Sequence, residues 1–204
     1  WQNLGDGLLA VGVALMTMMS LSFVPASFAL FIVREREFKQ KHQQNVSGLS
    51  LSAYWFSSFV WDFISYLMPF AGTLIMFAAF GVASFTEAPE NFLAITVTLG
   101  LYGLAVIPFT YVLTFFFAKH TTAWNVIMLI MVVTGVMLVL ASYIMAVLPN
   151  TKDANKMLVY AYRIFPPFCL GESLLNIANL DLFNTLLFLG GKQHYAFDMD
   201  ISGT

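Results

Sequence analysis

Three groups of residues in this 204-residue sequence have side chains capable of chemistry. The first is Asp62, in a row with Ser58, Ser65, Pro69 and Thr73. Offsets of three and four residues put the row on a single helix face. A carboxylate inside an apolar span is expensive and marks a proton or ligand site. At a helix start it would instead cap the helix, and within a bundle it could be a polar packing contact. The uncharged residues from Phe63 to Ala83 suffice to span on their own, which favours the cap at an inner membrane interface. The second group is Arg34, Glu35, Arg36, Glu37, Lys39 and Lys41. Glu35/Lys39 and Glu37/Lys41 are i,i+4 pairs in the favourable order. This run is either snorkelling charge at a helix end or a docking surface for a cytoplasmic partner. The third group is Arg163 and Glu172, which flank Pro166 and Pro167. They are expected to anchor that proline break at the exoplasmic headgroups, with a lipid contact as the alternative.

The motifs of hydrolases and metalloenzymes are missing from the sequence. There is no His-Glu-x-x-His, no Gly-x-Ser-x-Gly, and no Cys/His set at metal-ligand spacing. His42, His120 and His194 lie in three separate polar segments and are expected to be solvated loop residues. Gly190-Gly191-Lys192 lacks the earlier glycine of a phosphate loop. The sequence thus offers no catalytic residue and no residue set for a cofactor or a metal.

The elements that position these groups follow from composition. Hydrophobic residues make up 59% of the chain, against 9 Lys+Arg and 11 Asp+Glu. A soluble domain of this size carries about a quarter charged residues, so this chain cannot cover a globule with polar surface. A net charge of −2 excludes a charged tail and a basic nucleic-acid face, and one cysteine excludes a disulfide scaffold. An integral, multi-pass, all-α membrane protein remains.

A span needs about 20 apolar residues. Four stretches qualify: 8–33, 63–83, 92–117 and 124–147. Pro25, Pro69 and Pro108 predict local bends, and Gly100 and Gly103 are candidate close-packing points. The Arg34–Asn45 segment holds four of the nine bases, so the positive-inside rule places it in the cytoplasm and both chain ends outside. The sequon Asn45-Val46-Ser47 is then expected to stay unmodified. Thr86–Asn91 is predicted to be an exoplasmic turn, and Ala118–Thr122 a cytoplasmic one bearing Lys119. Residues 157–180 are too polar and too broken to cross. They predict two short helices that enter one leaflet and return, followed by a further short helix over 182–189 and a polar loop.

Three stretches resemble the second membrane domain of the A subfamily of ABC transporters, the lipid exporters. They are Ser22-Phe-Val-Pro-Ala-Ser27 running into Arg34-Glu35-Arg36; Val46-Ser-Gly48 with Tyr54-Trp55, Ser58, Phe59-Val-Trp-Asp62, Tyr66 and Pro69; and Ile164-Phe-Pro-Pro-Phe-Cys-Leu-Gly171. The resemblance implies an ABC-2 type bundle: four spans of a transporter half plus a re-entrant exoplasmic helix pair. It implies that the loop over 34–50, with Lys119 on a smaller loop, meets a nucleotide-binding domain that this chain lacks. ATP and magnesium would bind there. The other transmembrane half and a lipid substrate are the further implied partners, in a plasma membrane or an endomembrane. Pro167 and Glu172 stand where animal members are expected to carry His and Arg, so headgroup contacts at those positions are not carried over. A passive channel or an ion-coupled carrier is the rival reading, with Asp62 as its working group.

Overall fold

Ser50 starts the longest helix of the molecule: its hydroxyl accepts the Ala53 N–H at 3.4 Å, as an N-cap should. In the computed structural model, residues 2–40, 46, 48, 50–86, 88–148 and 151–187 are described. Lys41, His42, the sequon, His194 and Gly190-Gly191-Lys192 lie outside the described residues, wholly or in part. The helices in chain order are α1 (Gln2–Leu21), α2 (Phe23–Glu37), α3 (Leu51–Phe80), α4 (Ala83–Thr86), α5 (Pro89–Thr114) and α6 (His120–Val132). A π-helical turn (Val133–Met137) then leads into α7 (Leu138–Val147), α8 (Lys152–Tyr162) and α9 (Pro166–Leu187). No strand occurs among the described residues.

Among the described residues, four helical stretches are long and apolar enough to cross a bilayer: Leu9–Glu37, Leu51–Phe80, Pro89–Thr114 and His120–Ala146. The shortest has 26 residues, which rise about 39 Å against a hydrocarbon core of about 30 Å.

Several boundaries differ from expectation, each for a local reason. The second stretch begins at Leu51 rather than Phe63, which puts Asp62 well inside α3. The cap expected of Asp62 is supplied by Ser50 instead. The first stretch is interrupted at Ser22, ahead of Pro25, because a proline ring crowds the carbonyl four residues before it. Pro69 and Pro108 sit inside α3 and α5 without ending either helix. α6 starts at His120, four residues earlier than read. The break expected at Pro166 and Pro167 falls at 163–165, and the two prolines open α9, where the missing N–H is no loss. Of the separate helix expected over 182–189, residues 182–187 belong to α9 and the last two lie outside the described residues.

The bundle is layered around α9 and α5. α9 lies against α1, α5 and the π-helical turn; α2 lies against α6 and α5. At the α9 contact two glycines meet: a Cβ on Gly171 would strike Met18 Sδ and the carbonyl of Gly135, and a Cβ on Gly135 would press on Pro167. Small residues let backbones approach in this way. α3 is held on one face only. Tyr54, Asp62, Tyr66 and Phe77 are its buried residues, while Phe56, Trp61, Met68 and Phe80 point outward. The Tyr66 ring lies over Gly103, and its hydroxyl donates to the Leu99 carbonyl at 2.8 Å, which keys α3 to α5. A Cβ on Gly100, by contrast, would meet nothing within 4 Å.

Candidate functional site

The last turn of α2 carries Arg34, Glu35, Arg36 and Glu37. The helix closes there because Phe38 N–H returns to the Arg34 carbonyl at 3.0 Å and Lys39 adopts φ +57°, a left-handed backbone that a helix cannot continue through. Lys39 is therefore not one helical turn from Glu35, and the expected Glu35/Lys39 pair does not stand on a continuous helix.

Successive helix residues point about 100° apart, so three neighbours at the tip of α2 reach three different elements. Glu35 Oε2 accepts the Tyr54 hydroxyl of α3 at 2.6 Å. Arg36 Nη2 donates to the Thr114 carbonyl at 2.6 Å and also to the Phe117 carbonyl, at the end of α5. Its guanidinium lies 6.0 Å from the centre of the Phe115 ring. Glu37 Oε2 accepts the backbone N–H of His120 at 2.8 Å and lies 2.7 Å from His120 Nδ1, at the start of α6.

The signs of these charges match the helix ends that they meet. The end of α5 exposes carbonyls and partial negative charge, and receives a guanidinium. The start of α6 exposes N–H groups and partial positive charge, and receives a carboxylate. Glu35, Arg36 and Glu37 thus form a clasp that ties α2 to α3, α5 and α6. Arg34, Lys39 and Lys119 remain exposed around it. His120, read from sequence as a solvated loop residue, is part of the clasp.

A polar row runs into the bundle from the clasp along α3. The Ser58 hydroxyl is within hydrogen-bonding reach of Tyr54. Asp62 is only 7% exposed, and the Tyr111 hydroxyl of α5 donates to its Oδ2 at 2.5 Å. Trp55 covers the Tyr111 ring, centroid to centroid 5.3 Å. Ser65 is half-buried further along, and the Thr73 hydroxyl turns back to the Pro69 carbonyl at 2.8 Å. The helical register of Ser58 and Asp62 was legible in the sequence. Tyr111 was not, since nothing in an apolar span marks which hydroxyl will face a carboxylate on another helix.

The third group sits at the corner between α8 and α9. Arg163 grips Glu172 as a fork, Nε to Oε2 at 3.1 Å and Nη2 to Oε1 at 3.0 Å. That hydrogen-bonded carboxylate raises the pKa of the guanidinium above its ordinary value. Pro166 and Pro167 begin the helix that carries Glu172. Cys169 Sγ donates to the Arg163 carbonyl at 3.2 Å, and burial, helped by the charge of Glu172, pushes its thiol up. Among the described residues no His, Cys, Asp or Glu cluster could hold a metal ion.

The sequence matches the family described as ABC-2 family transporter protein over residues 3–191. It is 35% identical over 184 residues to ATP-binding cassette sub-family A member 7 of Rattus norvegicus, covering 89% of this chain and 8% of the relative. It is 33% identical over 184 residues to the phospholipid-transporting ATPase ABCA7 of Homo sapiens, covering 89% of this chain and 8% of that protein. The retinal-specific phospholipid-transporting ATPase ABCA4 of Homo sapiens is 33% identical over 196 residues, 94% of this chain and 9% of the relative. The chain spans under a tenth of the length of these relatives.

Proposed function

The chain belongs to the ABC-2 family of transporter proteins, and from that membership we propose that it is the membrane-spanning part of an ATP-driven lipid exporter. It is an integral, multi-pass membrane protein, with four helical stretches among the described residues long and apolar enough to cross. The lipid reading is supported by the two phospholipid-transporting relatives. ATP and magnesium would bind to a nucleotide-binding domain, and a second transmembrane half would complete the path.

The observation that carries the mechanism is the clasp of Glu35, Arg36 and Glu37. The base-rich end of α2 faces the cytoplasm by the positive-inside rule. A nucleotide-binding domain closing on ATP would press on the exposed Arg34, Lys39 and Lys119. The tip of α2 is bonded to α3, α5 and α6 through three consecutive side chains, so that push would reach all of them together. Packed helices move as rods rather than deforming, and the bundle would rock. On this reading the α8–α9 corner lies at the opposite membrane face, as the re-entrant pair.

An ion-coupled carrier is favoured by one observation, the buried Asp62–Tyr111 pair. Lipid movement that still requires ATP in Asp62→Asn would dispose of it. The lever itself is tested by Arg34→Glu with Lys39→Glu in the complete transporter in proteoliposomes. ATP hydrolysis should persist while lipid movement collapses; coupled transport at the parental ratio would count against the lever.

A further inference from the structure

Among the described residues, Asp62 is the only acidic or basic side chain that is buried. It lies well inside α3, on the face that docks to α5. That face is narrow, with Tyr54, Asp62, Tyr66 and Phe77 as its buried residues. A misfit at Asp62 would therefore act on much of the contact that holds α3.

The neighbours of Asp62 come from three helices. From α5, the Tyr111 hydroxyl donates to Oδ2 at 2.5 Å. From α2, the charged group that reaches it is Glu35, of its own sign. On α3 itself, the Tyr54 hydroxyl is turned to Glu35 at 2.6 Å, and Ser58 is within hydrogen-bonding reach of Tyr54. Arg36, the guanidinium of the clasp, is engaged by the Thr114 and Phe117 carbonyls. Among the described residues no cation pairs with Asp62.

These surroundings suit a neutral acid. An ionised carboxylate has about four acceptor sites, and here a single donor is supplied. Holding such a charge away from water with no cation costs far more than leaving one neutral O–H without an acceptor. Tyr111 fits the neutral form as well, since its hydroxyl can donate to a carbonyl oxygen at Oδ2 while a proton rests on Oδ1.

We infer that Asp62 is a proton-binding site, with the proton on Oδ1, and that this proton is what lets α3 dock on α5. Its loss would set two like charges, Asp62 and Glu35, against each other at the helix that is held on one face only. The proton stays in its seat and is not carried across, so the inference goes beyond the export reading and holds whatever the bundle moves.

The test takes infrared difference spectra of the complete transporter in nanodiscs, parent against variant. At neutral pH the parent is expected to show a protonated-carboxyl C=O stretch that is lost in Asp62→Asn. In Tyr111→Phe, which keeps the acid, the band should persist and shift to higher frequency, because its carbonyl loses the hydrogen bond of the phenol. If Asp62→Asn does not assemble, the shift in Tyr111→Phe decides alone. Backbone hydrogen exchange reads the docking role. In alkaline buffer α3 should exchange severalfold faster in the parent than in Asp62→Asn, which has the shape of the protonated acid and cannot ionise. Loss of carboxylate bands alone in Asp62→Asn, or no band shift in Tyr111→Phe, overturns the site. So does a protonated band that appears only when sodium and potassium are replaced by a bulky organic cation, since a metal cation would then hold the seat. Equal exchange of α3 in the two proteins overturns the docking role. ATP-driven lipid movement enters none of these readouts, so the site and the export reading fail separately.

Discussion

Glu37 and His120, 83 residues apart, meet through a single carboxylate oxygen that takes both the backbone N–H and the ring nitrogen of the histidine. One acidic side chain thereby fastens the end of one long helix to the beginning of another. The two contacts differ in what a substitution would remove. His120→Ala deletes the ring contact and keeps the backbone one, whereas Glu37→Ala deletes both. Glu37→Ala should therefore lower the unfolding midpoint more, by roughly a few degrees. Adding His120→Ala to Glu37→Ala should cost only the remaining contact of its ring with Phe38, 6.1 Å between centroids. Thermal unfolding of the four proteins in one detergent checks this, and additive losses would show the two side chains to act separately.

Arg36 closes the other helix end. Arg36→Ala uncovers the carbonyls of Thr114 and Phe117, and should cost about 2 kcal/mol, as for hydrogen bonds to a charged group. Arg36→Lys should recover only part, because an ammonium gives up the place of the flat guanidinium beside the Phe115 ring. Denaturation monitored by Trp55 fluorescence, close to this end of α5, reads the difference.

Gly103 and Gly100 provide a matched pair on one helix. A methyl group at Gly103 would run into the Tyr66 ring, while at Gly100 it would meet nothing. Gly103→Ala should destabilise by about 1–3 kcal/mol through overpacking. Gly100→Ala should be neutral or stabilising by up to about 1 kcal/mol, since a helix interior favours Ala. Equal effects at the two sites would contradict the α3–α5 contact.

Cys169 carries a pH signature. Its thiol is pushed above the ordinary range by burial and by Glu172, and only the thiolate attacks. Alkylation by a small maleimide should be slow at neutral pH and climb only in alkaline solution. Glu172→Gln removes a negative charge that holds the proton on sulfur, so the rate profile should move to lower pH. A profile unmoved, or moved upward, would contradict the arrangement of Arg163, Cys169 and Glu172.

Composition and the placement of charge made the all-helical membrane architecture legible, because crossing hydrocarbon imposes a length and an apolar character that no other constraint mimics. The clasp was half legible. Four charges in one helical turn announced a special segment, but i,i+4 spacing paired Glu35 with Lys39 and Glu37 with Lys41. Glu35, Arg36 and Glu37 bond to other elements instead, since Lys39 leaves the helix and the ends of α5 and α6 present ready partners for Arg36 and Glu37. Asp62 was misplaced for a related reason. An uncharged run from Phe63 was sufficient to span, yet Ser50 offered an earlier cap and the intervening aromatic residues could be packed. Of the two glycines singled out, only Gly103 faces a neighbour. The phase of one helix against another is tertiary information that a single sequence does not carry.

The π-helical turn at Val133–Met137 gives the fourth long helix one residue more than a regular spiral would hold in that stretch. Winding that turn into a regular α-helix with every residue kept would rotate everything downstream by about 100°. Ser142 would swing away from Asn155, and Tyr143 from the Asn176 side-chain oxygen Oδ1 that its hydroxyl now meets. The phase of that helix, and with it the shape of the far corner, is set by one surplus residue lodged beside Gly135.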